Sequence, residues 1–294
     1  MKLLLFGRNG QLGRELERCL AVLGELTAWD VDDLNMLQDS QLTERIHAVQ
    51  PQVIVNAAAF TAVDHAEQQA DLAFRLNGHA PGVIAQCARS IRALFIHYST
   101  DYVFDGEKGR PYTEADPPKP LNAYGRSKLA GERAVEQAGG THLVLRTSWL
   151  YSLDQASFVG RVLAWSRKLE TMRIVTDQVG SPTWARMLAE ATLRILEQGG
   201  ADPFESLRPR RGLYHLAGRG AASRYDLAAS ILAMDPHPEQ QVCRRIERAL
   251  SAEFPAPARR PSFSALDCSR IEAAFQLELP PWQVSLQAAL RQAG

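Results

Sequence analysis

Apolar positions along the chain fall into two alternating kinds of run. Residues 3–6 are an unbroken apolar stretch, which predicts a strand buried on both faces. Leu12, Leu16, Leu20 and Leu23 then recur at helical spacing. Residues 26–31 predict a second strand, with Asp30 at its end. Residues 44–49 read as a helix that Pro51 stops, and residues 53–55 as a central strand running into Asn56-Ala57-Ala58-Ala59. Residues 71–89 predict a long helix interrupted at Gly78 and at Pro81-Gly82. A strand at 94–99, a helix at 124–137 and a strand at 143–146 continue the series. Such alternation predicts an α/β fold, a Rossmann-type doubly wound parallel sheet with helices on both faces. Sheets of this kind take their ligands beyond the carboxyl ends of the strands.

The pattern loosens in the second half. Residues 158–167 and 187–198 read as helices and 213–216 as a strand. The Gly-, Pro- and Arg-rich stretch 199–212 reads as a surface loop, and 253–261, with three prolines, as an extended surface segment. Residues 1–150 are therefore expected to form a dinucleotide-binding domain. Residues 151–294 are expected to form mainly a smaller C-terminal substrate-binding lobe, with segments near 187–217 returning to the first domain.

Charge and composition narrow the class. Lys and Arg total 33 against 33 Asp and Glu, so no global field draws the chain to nucleic acid or to an anionic membrane. The apolar start of the chain stops at Gly7-Arg8, too short for a signal sequence. No later run approaches the ~18 apolar residues of a membrane span, so a cytoplasmic protein is expected. Cys19, Cys87, Cys243 and Cys268 are scattered without a C-x-x-C pair, which reads as reduced thiols and gives no zinc pattern.

Gly7-x-x-Gly10-x-x-Gly13 sits between the first strand and the first helix. One glycine lets the chain turn sharply, another lets backbone approach the phosphates of a dinucleotide, and the last lets helix and strand pack closely. The helix N-terminus then offers free N–H groups to the pyrophosphate. Asp30 ends the second strand, where an acidic residue meets the adenosine ribose hydroxyls. On charge alone it disfavours the extra phosphate of NADP, which Arg8 can offset, so NADPH and NADH both stay open.

Tyr124 and Lys128 are four residues apart and share a helical face. A free tyrosine has a pKa of ~10, and a nearby ammonium is expected to lower it, giving a proton donor suited to carbonyl reduction. The spacing alone is common by chance, and its weight comes from the glycine turn upstream. Thr100, just past the strand at 94–99, is expected to hydrogen-bond the same carbonyl. His97 reads as a buried, satisfied histidine and His65 as a surface residue on a turn. Arg208-Pro209-Arg210-Arg211 reads as a solvated loop, though one able to attract a diphosphate.

Five blocks go beyond a general fold. Residues 56–64 (Asn56 to Asp64), 98–106 (Tyr98 to Gly106), 145–149 (Leu145 to Trp149) and 177–183 (Asp177 to Thr183), with Arg260-Pro261-x-x-Ser264-x-Leu266, resemble the dTDP-4-dehydrorhamnose reductase family over nearly the whole chain. The resemblance implies reduction of the 4-keto group of dTDP-4-dehydro-L-rhamnose by NADPH or NADH. It implies Tyr124 as proton donor, Lys128 on the nicotinamide ribose, and Thr100, Asp101 and Trp149 on the substrate. On the cofactor side it implies Gly10, Gln11, Leu12, Asp30, Ala57, Ala59, Phe60, Thr61 and Tyr98. Where relatives often carry an acidic residue beside the adenine, the chain has Asn35, followed by Met36. Phe60 stands where relatives often have His or Tyr. Some members of the family use magnesium, although no spacing here defines a site. The helices of the second half leave a homodimer open.

Three other readings compete. Reductases of other nucleotide-linked 4-keto-6-deoxy sugars share these motifs. Dehydratases of the same fold resemble one another in an Asp-Glu after the threonine, whereas Thr100 is followed by Asp101-Tyr102. The regulatory subunit of methionine adenosyltransferase is similar to these reductases and binds NADP without turnover; intact Thr100, Tyr124 and Lys128 argue against that reading.

Overall fold

The computed structural model describes residues 1–154 and 157–292. Its main sheet has six strands, in the order Gly212–His215, His142–Thr147, Leu94–Thr100, Val53–Asn56, Lys2–Phe6 and Glu25–Trp29. Every pairing in it is parallel, with Leu5 beside Val55, Val55 beside Ile96 and Ile96 beside Leu143. The chain starts at Lys2–Phe6, steps outward to Glu25–Trp29, then returns to the other side of its first strand at Val53–Asn56. That reversal is the topological switch point, and it opens a crevice at the carboxyl ends of the central strands.

Both sheet faces are covered, which is why the strands read as apolar runs without alternation. Leu3, Leu5, Val53, Val55, Leu94 and Ile96 face one core, shared with Leu12 and Leu16 of the helix Gln11–Leu20 and Leu188 and Ile195 of the helix Ala185–Glu197. Leu4, Phe6, Ile54, Phe95 and Val144 face the other, against Ile46, Ile84 and Val135 of the covering helices. A fully buried leucine contributes about 1.5–3 kcal/mol through the apolar surface it removes from water.

Several boundaries differ from the sequence reading. The second strand ends at Trp29, so Asp30 lies just beyond it. The stretch expected to break at Gly78 and Pro81-Gly82 stays helical from Ala70 to Ser90, through a π turn at Arg75–His79. Those glycines are contact points: an added Cβ would lie 3.2 Å from the Ala130 Cβ at Gly78 and 2.9 Å from the Ala134 Cβ at Gly82. They let this helix close on the helix Ala123–Ala138. The 199–212 stretch contains a short helix, Pro203–Ser206, and a 3-10 turn, Arg208–Arg210. His65 is exposed, but on the helix Val63–Gln68 instead of a turn.

Beyond the main sheet, the strands Thr171–Val175 and Arg245–Ala249 pair in parallel beside the helix Arg224–Ala233. Short antiparallel pairing joins Val179–Gly180 to Ala222–Ser223. The helices Ser269–Phe275 and Trp282–Leu290 bury Ile271, Phe275 and Leu286 in the first core. The 253–261 segment is tied down at its end: the Ala258 N–H donates to Asp64 at 3.1 Å and Arg260 pairs with Asp64 at 2.7 Å. No helix among the described residues is long and apolar enough to cross a membrane.

Candidate active site

At the switch point the crevice becomes a cavity of about 770 Å³. Gly7, Gly10, Gln11 and Leu12 line one end, and Thr100, Asp101, Tyr124, Lys128 and Trp149 line the other. Asp30, Asn35, Met36, Ala57, Ala59, Thr61 and Tyr98 also reach it.

The glycine turn is built on close approach. Gly7 has φ +86°, and a Cβ there would sit 2.6 Å from the Ala58 nitrogen. Gly13 does not line the cavity; a Cβ on it would fall 1.8 Å from the Gly7 carbonyl oxygen, so its absence lets the helix seat against the turn. Asp30 accepts the Asn9 and Val31 N–H groups at 2.9 and 2.8 Å. Arg8, read as able to offset the repulsion of an NADP phosphate, pairs with Asp33 at 3.1 Å. Gln11 accepts from the backbone and hydroxyl of Ser152, at 2.9 and 3.0 Å. Asn35 accepts from the Leu37 N–H, closing a local turn that presents Met36.

Phe60, like Gly13, does not line the cavity. Its ring packs with Ala66, Ala73 and Ala123. Its backbone N–H and carbonyl are both held by the buried Asn77 amide, at 2.8 and 3.0 Å. Asn77 also donates to Ser127, whose hydroxyl donates to the Tyr124 carbonyl. The π turn that carries Asn77 thereby fixes the loop at residues 57–61 to the first turn of the tyrosine helix. Asn122 caps that helix by accepting from the Gly125 N–H at 2.8 Å.

Lys128 departs from its expected role towards Tyr124. Its ammonium donates to the Tyr98 carbonyl at 2.6 Å and lies 3.5 Å from His97 Nε2. Burial pushes the Tyr124 phenol above its ordinary value, with the Thr100 hydroxyl opposing. Burial also brings Lys128 down to about 8, against the pull of Glu132. His97 is fully buried and held well below its ordinary pKa by desolvation and by Lys128. Its Nδ1 meets the Asn56 amide at 3.2 Å, so it is a satisfied histidine that supports Lys128 from beneath. Tyr98 turns its hydroxyl away, to Thr192 at 2.6 Å.

Thr100 Oγ1 accepts from the Tyr102 N–H and donates to Asp101 Oδ1, both at 3.2 Å. Asp101 is buried, and its other oxygen accepts from Ser148 at 3.0 Å and Ser264 at 2.5 Å. Desolvation raises its pKa to about 6, against those hydroxyls. The Arg260-to-Leu266 motif thus reaches the site through Ser264. Trp149 adopts a left-handed backbone, φ +43°, rare for a bulky residue. A Cβ on Gly180 would lie 2.4 Å from its ring, so the 177–183 motif supplies the flat wall behind it.

Arg224 and Ala58 also line the cavity and were missed in the sequence. Ser223-Arg224-Tyr225-Asp226 reads only as a capped helix start, and no local pattern points its arginine at a site 100 residues away in the chain. The basic run at 208–211 lies elsewhere, with Arg208 on Glu205 and Arg210 on Gln198. Among the described residues no group of three or more His, Cys, Asp or Glu converges as a metal site.

A crevice at the switch point of a parallel sheet, with a glycine turn at one end, makes this a Rossmann-type fold. A structure of dTDP-4-dehydrorhamnose reductase from Clostridium acetobutylicum superposes with a TM-score of 0.91 at 34% identity, covering 100% of this chain and 99% of that one. That of the Bacillus anthracis enzyme, in complex with NADP, gives 0.90 at 29% identity, covering 99% and 100%. A dTDP-4-dehydrorhamnose reductase of Burkholderia thailandensis is 40% identical over 298 residues, 99% of this chain and 98% of that protein. The family model described as RmlD substrate binding domain matches residues 1–294, and the chain belongs to that family.

Proposed function

We propose that this protein reduces the 4-keto group of dTDP-4-dehydro-L-rhamnose to give dTDP-L-rhamnose, using NADPH or NADH. The observation that carries the reading is one cavity lined by the glycine turn at one end and by Thr100, Tyr124 and Lys128 at the other. The relatives named dTDP-4-dehydrorhamnose reductase support the choice of sugar, and the NADP in the Bacillus anthracis structure supports the class of cofactor.

The reduced nicotinamide, when bound, supplies a hydride to the carbonyl carbon. Tyr124 gives its phenolic proton to the carbonyl oxygen as negative charge develops there. A phenol held above its ordinary pKa by burial is protonated at neutral pH, so the proton is present to be given, and the raised value makes the phenol a weaker acid than a free tyrosine. Thr100 hydrogen-bonds the same oxygen by turning its hydroxyl proton to it from Asp101. Lys128 holds the ribose hydroxyls and, through Tyr98, the end of the strand. Gly7, Gly10, Gln11 and Leu12 receive the pyrophosphate, and Asp30 the adenosine ribose. Trp149 and Asp101 flank the sugar.

The test is oxidation of NADPH and of NADH, followed by absorbance, with the keto sugar made in situ from its precursor. Sugar-dependent oxidation is expected with the wild type. Tyr124→Phe is expected to keep cofactor affinity and lose about 10²–10⁴ in turnover. Full activity in that variant removes Tyr124 as the donor. Cofactor binding without oxidation favours another 4-keto-6-deoxy sugar, or the non-catalytic regulatory reading.

A further inference from the structure

Arg224 brings a guanidinium to the cavity wall, and among the described residues no carboxylate pairs with it. Other buried or half-buried arginines are matched: Arg146 by Glu132, Arg167 by Asp235 and Arg260 by Asp64. Its N–H backbone group is occupied by the Gln178 carbonyl. The guanidinium carbon lies 3.6 Å from the centre of the Trp149 ring and 4.8 Å from that of Phe158. Stacking engages the face of the cation and leaves its N–H edges for an acceptor. Asp101 is the acid nearest in influence, but both of its oxygens already accept hydroxyls. Arg161 and Arg260 add positive charge around the same point. Burial lowers Arg224 to about 10, so it remains a cation at neutral pH.

Its position in the sheet says which anion it meets. Trp149 follows the strand His142–Thr147, which lies three places from the strand Lys2–Phe6 that feeds the glycine turn. At ~4.8 Å per strand the two sites are roughly 14 Å apart. Thr100 and Tyr124, the reacting end, belong between them. The dinucleotide phosphates sit at the glycine turn, and an anion beyond the reacting centre belongs to the substrate.

We infer that Arg224, laid flat on Trp149, is the receptor for the diphosphate of the nucleoside-diphosphate sugar. The assignment rests on the reaction proposed above for its choice of substrate class. A planar fork of donors matches phosphate oxygens in pairs, and its stacked, pre-ordered side chain loses little freedom on binding. Trp149 then acts as the platform for the cation as well as a wall for the sugar, and Gly180 is the residue that makes room for it.

The experiment uses the full chain and titrates dTDP, thymidine and NADPH into wild type, Arg224→Gln and Arg224→Lys, with thermal unfolding of each. Arg224→Gln is expected to weaken dTDP roughly ten- to hundredfold, the effect of losing charge-assisted hydrogen bonds. Thymidine and NADPH affinities should stay within about twofold of wild type, and the KM for the keto sugar should rise far more than kcat changes. Arg224→Lys, which keeps the charge and loses the fork, should fall in between and carries the test if the glutamine variant does not fold. Unchanged dTDP affinity overturns the assignment, and so does a loss confined to NADPH, which would give Arg224 to the cofactor. If wild type binds dTDP through Arg224 yet reduces no sugar, the diphosphate site stands and the proposed reaction falls.

Discussion

Asp101 has three hydroxyl donors and almost no water, and its ionisation is set by that balance. Its folded pKa of about 6 stands above the ordinary 3.8 because desolvation outweighs the bonds from Ser264, Ser148 and Thr100. A carboxyl raised in the folded state contributes stability that is fully present below 3.8 and is lost as pH rises through 6. Asp101→Asn cannot ionise, so it escapes that loss. The difference in Tm, variant minus wild type, should therefore grow more positive between about pH 4 and pH 7. Parallel curves would mean that the buried carboxylate is not destabilised by its site. Tyr124 follows the same logic: burial keeps its proton on at neutral pH. Both residues could be named from the sequence. Their ionisation could not, because it depends on burial and, for Asp101, on Ser148 and Ser264, which are 47 and 163 residues away in the chain.

At the scale of elements, the glycine turn separates two jobs that the sequence motif merges. Gly10 lines the cavity, and a Cβ there would lie 3.3 Å from the Gly7 oxygen, a contact that a small shift relieves. Gly13 faces the turn itself, and its Cβ would meet that oxygen at 1.8 Å. Gly13→Ala is expected to unseat the helix Gln11–Leu20 and lower global stability by several kcal/mol. Gly10→Ala should remain folded and lose cofactor affinity. Urea unfolding and NADPH titration separate the two, and equal stability losses would contradict the division. The alternation of strands and helices was legible because buried parallel strands are apolar throughout. The pair Thr171–Val175 and Arg245–Ala249 was not: its second member, Arg-Ile-Glu-Arg-Ala, is half polar and gains its partner only by folding. The long helix was read as broken because glycine and proline look like punctuation. Gly78 and Gly82 are there for contact with Ala130 and Ala134, which only the packed helices reveal.

Across the whole molecule, a few polar contacts from the N-terminal half hold the 258–260 segment. Asp64 holds Arg260 and the Ala258 N–H, and Asn122 donates to the Arg259 carbonyl at 2.8 Å. The Arg260 guanidinium holds the Asp64 carboxyl below its ordinary value, so its contribution is present above pH 3.8 and is lost as pH falls through the lowered pKa. The pair is partly exposed, so solvent screening keeps its worth small. Asp64→Ala should cost no more than about 1 kcal/mol in urea unfolding. It should still speed hydrogen exchange at the Ala258 amide on the order of tenfold, because that N–H loses its acceptor. Unchanged exchange would show that the 258–260 segment is held by something else.

The sequence by itself determined the class of fold, the order of the six main strands' segments along the chain, and most residues of the cavity. It did so because strand burial, glycine turns and the tyrosine–lysine spacing are local properties of the chain, and because the family resemblance implied Gln11, Leu12, Ala57, Ala59, Thr61, Tyr98, Asp101 and Trp149. Tertiary structure decided what those residues do to one another. It carried Lys128 to the Tyr98 carbonyl, turned Phe60 out of the cavity, set Arg8 on Asp33 and brought Arg224 onto Trp149. Direction of a side chain, loss of water and the meeting of charges distant in sequence arise only when the elements pack.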